Sequence, residues 1–104
     1  MNIVWTKHAV QRCWTRMKLS DSDKSMDLFD EKIKDNLKYK VKQEDGSYHI
    51  AFKVAGQCYM VVGAISYQNF VIKTFISISL SKFKWMNYRQ NKPKKKEWIN
   101  ERVK

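Results

Sequence analysis

At Tyr39 the spacing of apolar residues changes, and that change dictates most of what this chain can become. Before it, Met26, Phe29, Ile33 and Leu37 recur at intervals of three and four, which gathers them on one side of a helix. After it, apolar and polar residues alternate, the period of a strand with one buried face. A chain that passes once from the first period to the second folds as helices followed by sheet, an α+β arrangement.

The helical part holds two helices. Residues 2–5 read as a short edge strand, and Thr6 as the N-cap of a first helix over residues 6–20. A second helix covers residues 22–37, with Asp27, Glu31, Lys34 and Asp35 on its outer side. The strands then follow in order. Residues 39–43 and 48–54 flank the turn Glu44-Asp45-Gly46-Ser47, where Asp-Gly suits a hairpin. In residues 48–54, Tyr48, Ile50, Phe52 and Val54 share one face, and His49, Ala51 and Lys53 the other. After a turn at Ala55-Gly56-Gln57, residues 58–65 are nearly continuously apolar and read as a central strand covered on both sides. The last strand spans residues 70–79, with Phe70, Ile72, Thr74, Ile76 and Ile78 alternating with Val71, Lys73, Phe75, Ser77 and Ser79. The expected fold is two N-terminal helices packed on one face of an antiparallel four-stranded meander. It occupies residues 1–81, and a basic aromatic tail occupies residues 82–104.

Charge narrows the partners. The chain carries 21 Lys and Arg against 10 Asp and Glu, a formal net charge of +11. Residues 1–45 hold 10 basic and 8 acidic side chains; residues 46–104 hold 11 basic and 2 acidic, with no acid between Asp45 and Glu97. Such a field draws polyanions. RNA is the first candidate partner and DNA the second, with an acidic protein as a further class. The opening MNIVWTKH lacks the apolar core of a secretory leader, and the apolar run at 58–65 is too short to span a bilayer. A cytoplasmic protein without a membrane partner is the expectation. Cys13 and Cys58 lie 45 positions apart in no metal-binding spacing, so both read as small buried apolar residues, and no metal or cofactor is expected.

Two groupings carry chemistry. Along residues 6–20, Ala9, Val10, Cys13, Trp14 and Met17 fall on one side, while His8, Arg12 and Arg16 stack at i, i+4 and i+8 on the other. That places a titratable imidazole beside two permanent guanidiniums. In the tail, Lys82, Lys84 and Arg89 interleave with Phe83, Trp85 and Tyr88, a pattern in which rings stack on bases while cations follow phosphates. Lys94, Lys95 and Lys96 extend the charge.

The run His8-Ala9-x-x-Arg12-x-x-x-Arg16-x-x-Leu19-Ser20 resembles the opening helix of small bacterial and phage domains grouped with the RelE-like toxins. These belong to the wider barnase, EndoU, colicin and RelE ribonuclease fold group. Residues 70–75 (FVIKTF) look like that family's closing strand. The resemblance implies metal-independent RNA cleavage, in which the substrate's own 2′-hydroxyl attacks the adjacent phosphate. His8 would then be the acid–base, with Arg12 and Arg16 holding the phosphate. Lys53 and Lys73 would complete an anion pocket, Thr74 or Ser77 would add a hydrogen bond, and Tyr67 or His49 would carry the second proton. An antitoxin would be the cognate partner.

Three functions therefore stand open on sequence. One is a toxin-like endoribonuclease centred on His8, Arg12 and Thr74. Another is a nucleic-acid-binding protein without catalysis, using Arg16, Lys53, Lys73 and the basic aromatic tail. The third is a phage-type protein whose charge covers an acidic host partner.

Overall fold

The computed structural model describes residues 1–17 and 26–90 of the chain. Its elements are β1 (Asn2–Trp5), α1 (Lys7–Met17), α2 (Asp27–Asn36) running into a 3-10 turn at Leu37–Tyr39, β2 (Val41–Lys42), β3 (Tyr48–Val54), β4 (Gln57–Ser66), β5 (Asn69–Ser77) and α3 (Leu80–Gln90). The strands form a five-stranded sheet in the order β1-β5-β4-β3-β2. β2 to β5 pair antiparallel in sequence order, whereas β1 lies parallel to β5, with Asn2 beside Asn69 and Trp5 beside Ile72.

Turn chemistry sets this course. Gly46 has a φ of +88°, and the Asp45 carboxylate accepts from the Ser47 amide at 2.9 Å, which closes the β2–β3 turn. Ala55 and Gly56 both have positive φ and join β3 to β4 in a two-residue loop. Thr6 ends β1 and caps α1, because its hydroxyl accepts from the Ala9 amide at 3.2 Å.

The two faces of the sheet are covered by different helices. One face presents Ile50, Phe52, Tyr59, Val61, Phe70, Ile72 and Phe75 to Ala9 and Cys13 of α1 and to Phe29 and Ile33 of α2. Phe75 is the hub of that core, with ring centroids 5.1 Å from Tyr59, 6.0 Å from Phe52 and 6.1 Å from Phe29. The opposite face presents Ala51 and Met60 to Met86 of α3, flanked by Val41, Val62, Ile76, Ile78 and Phe83.

The expectation of two helices on four antiparallel strands is therefore corrected: the described residues form three helices and a mixed five-stranded sheet. β1 is four residues long, and a periodicity of two says nothing about whether a strand runs parallel or antiparallel to its neighbour. The front of the expected tail is α3, which packs on the face that the two-helix arrangement leaves bare. Among the described side chains of α3, Phe83 and Met86 enter that packing, too few to mark a 3.6-residue stripe among lysines. α1 is described over the 11 residues Lys7–Met17 and α2 over the 10 residues Asp27–Asn36; the parts of the expected stretches 6–20 and 22–37 that fall in residues 18–25 lie outside those described.

Alternation along the last strand is also interrupted. Val62 pairs with Thr74, but Gly63 pairs with Ile72, so Lys73 is an extra residue that makes a β-bulge. Phe70 and Ile72 face α1 and α2, and so does Phe75, while Thr74 and Ile76 face the other way.

Candidate nucleic-acid interface

α3 begins where β5 ends. The Ser79 side chain accepts from the Lys82 amide at 3.0 Å, and the Ser79 carbonyl accepts from the Phe83 amide at 2.9 Å. This cap fixes the helix so that Phe83 and Met86 turn inward and their neighbours turn outward. Met86 is 1% exposed, whereas Trp85 is 50% and Tyr88 46% exposed. The Lys82 ammonium sits 5.4 Å from the Trp85 ring centroid, one helical turn away. From β3, on the same face of the sheet, the Lys53 ammonium reaches 5.6 Å from the Phe83 ring. Lys84 is exposed beside them. No acidic residue occurs from Gly46 through Gln90, so β3, β4, β5 and α3 bring no carboxylate to these cations. Every acid among the described residues lies on α2 or in the turn at Glu44 and Asp45.

The candidate residues consequently separate into two groups. His8, Arg12 and Arg16 lie exposed along the outer side of α1, as their spacing predicts. Lys53, Lys82, Lys84 and Trp85 lie on the α3 side of the sheet, and Arg89 falls in α3. Thr74 also faces the α3 side, opposite Val62 and away from α1. The bulge decides this: had Lys73 paired in its turn, unbroken alternation would have put Thr74 on the face of Phe70 and Ile72. Lys73 is exposed, and its backbone carbonyl is 3.4 Å from the Thr6 hydroxyl at the start of α1. Ser77 lies at the far end of β5 beside Tyr59. Tyr67 is 96% exposed at the tip of the β4–β5 hairpin, and His49 sits on β3 between Val41 and Val62. Lys94, Lys95 and Lys96 lie outside the described residues.

Sequence reasoning missed the Lys53–Phe83 contact, because only the packing of α3 on β3 brings them together. The Lys82–Trp85 pair was findable from its spacing of three once a helix is assumed. A further basic group, Lys34, Lys38 and Lys40, lines an open depression with Met1, Asp35 and Leu37. Lys38 and Lys40 there lie against the rings of Tyr39 and Tyr48.

Burial pushes the Cys13 thiol up to about 12 and raises the Tyr59 phenol as well. The Ser47 hydroxyl and amide hold the Asp45 carboxyl below its usual value. Among the described residues, no three of His, Cys, Asp and Glu come together to hold a metal, and no helix is long and apolar enough to cross a membrane. No family model matches the chain, and no curated protein or solved structure matches it either.

Proposed function

We propose that this protein binds single-stranded RNA in the cytoplasm, with α3 as the contact surface. One observation carries the reading: Trp85 and Tyr88 stand half-exposed on α3, Lys82 lies over the Trp85 ring, Lys53 and Lys84 lie on the same side of the sheet, and β3, β4, β5 and α3 contain no acid. Unpaired bases stack on the rings, while the ammonium groups neutralise phosphates and release their counterions. Stacking tolerates any base, so this surface selects single strands over duplex rather than one sequence over another. Buried, free Cys13 and Cys58 suit a compartment that keeps thiols reduced. The test is fluorescence anisotropy of labelled RNA and DNA oligonucleotides against the wild type and Trp85→Ala. Loss of a base-stacking contact is worth roughly 1–3 kcal/mol, a weakening of about ten- to a hundredfold. Unchanged affinity in Trp85→Ala rejects α3 as the contact surface.

A second reading is metal-independent endoribonuclease, in the manner of the RelE-like toxins. It draws on the exposed stack of His8, Arg12 and Arg16, where an imidazole stands next to two phosphate-binding groups. Thr74 and Lys53 cannot serve that site, since they face the other side of the sheet. An acidic antitoxin or host protein would compete for the same ridge. Incubation of total RNA in excess EDTA separates the readings. Fragments ending in 2′,3′-cyclic phosphate from the wild type, absent with His8→Ala, establish the enzyme. Intact RNA with undiminished binding by both proteins leaves the binding protein.

A further inference from the structure

We infer that the protein bridges two separate RNA strands, one held on α3 and the other on α1. This rests on the α3 reading above and adds a second, independent site. α1 carries Lys7, His8, Arg12 and Arg16 on its exposed side and, like α3, contains no acid. Arg12 and Arg16 stand one turn apart, about 6 Å along the axis, as fixed forks for phosphate oxygens.

The topology makes the two ridges face opposite ways. α1 is anchored through Ala9 and Cys13 on one face of the sheet, and α3 through Phe83 and Met86 on the other. Two helices, each about 10 Å across, and the sheet between them separate the outer surfaces. The ridge along the 11 residues of α3 is roughly 16 Å long, so an oligonucleotide of about five nucleotides, at ~3.4 Å per stacked nucleotide, fills it and does not reach round the sheet edge to α1. α2 lies on the same sheet face as α1 and bears Asp27, Asp30, Glu31 and Asp35, so it repels a strand that strays from the α1 ridge. A short strand is thus confined to one ridge, and a second ridge remains for another strand. The two sites also differ in kind. α3 offers exposed rings beside its cations, whereas the ridge on α1 is charge alone, so the α1 contact is the more salt-sensitive. Raising the salt should abolish bridging before it abolishes binding.

The experiment mixes donor- and acceptor-labelled RNA oligonucleotides of about five nucleotides, at the short end of single-strand site sizes, chosen without complementarity. Bridging by the full chain brings the labels together at low protein, and the transfer signal falls again when protein exceeds RNA. Native mass spectrometry should find two oligonucleotides on one chain. Arg12→Gln with Arg16→Gln should remove the transfer signal and the second oligonucleotide, while anisotropy still reports binding of the first. Both positions are exposed, so the fold should survive; the thermal midpoint of the double variant checks this. One oligonucleotide per chain, or a transfer signal indifferent to the arginine changes, overturns the bridge and leaves α3 binding intact. In the second case the signal would come from association of protein copies. If α3 is not a contact surface at all, Lys82→Gln with Trp85→Ala will leave the first binding event unchanged, a result distinct from loss of bridging.

Discussion

Thr6 and Ile72 meet through a single carbonyl oxygen. The Thr6 amide donates to the Ile72 carbonyl at 3.1 Å, and the Thr6 hydroxyl donates to it at 2.8 Å. The same hydroxyl oxygen accepts from the Ala9 amide at 3.2 Å. One side chain thereby ends β1, starts α1 and ties both to β5 immediately before the bulge. Thr6→Val keeps the shape and removes the hydroxyl, which strips a cap and a partly buried hydrogen bond. A loss of about 2 kcal/mol is expected, read from urea denaturation, with Thr6→Ser restoring most of it.

Gly63 should tolerate no side chain. A Cβ there would stand 2.6 Å from the Phe70 ring and 2.6 Å from the Val71 carbonyl. Phe70 is fully buried and a backbone oxygen cannot step aside. Gly63→Ala should cost about 3 kcal/mol, visible as a lower urea midpoint or as insoluble protein. A stability equal to that of the wild type would mean that β4 and β5 separate more easily than their packing implies.

The fold should weaken in alkali, with Cys13 as one cause. Its thiol is held at about 12 in the folded chain against an ordinary 9.0. The unfolded chain therefore gives up this proton first, and stability falls as pH climbs from about 9 towards 12. Below pH 9 the contribution is fully present. Tyr59, raised from 10.0 by burial, acts in the same direction from pH 10. Urea midpoints between pH 8 and pH 10.5 should fall less steeply in Cys13→Ala than in the wild type, although the variant starts lower for want of packing.

Lys82 should contribute to RNA affinity mainly through phosphate. Replacing Lys82 with Gln removes one cation and its contact with Trp85. The plot of log affinity against log salt should flatten by about 0.7, the value of one single-strand phosphate contact. An unchanged slope would place Lys82 outside the path of the strand.

What the sequence discloses and what it hides follow from where the controlling interactions lie. The faces of β3 were legible because Tyr48 to Val54 alternate without interruption, and Thr6 was legible as a cap because capping is local chemistry. The stack on α1 was legible for the same reason. The facing of Thr74 was not, because one extra residue at Lys73 reverses every side chain beyond it, and no local pattern marks which residue is extra. The role of residues 80–90 was hidden as well. Met86 finds its partners Ala51 and Met60 more than two dozen positions earlier in the chain. Lys53 and Thr74, expected beside His8, lie on the α3 side of the sheet, away from α1.

The parallel pairing of β1 with β5 also imposes an order on synthesis. Asn2 leaves the ribosome 67 residues ahead of Asn69, the partner beside which it finally lies. Throughout that interval Ala9 and Cys13 have no sheet to cover them, since Phe70, Ile72 and Phe75 have yet to emerge. β1 is made before the other four strands of this sheet, yet it cannot be seated until β5 emerges. A nascent chain halted before β5 thus displays a helix with its apolar side bare, a species for chaperones to hold.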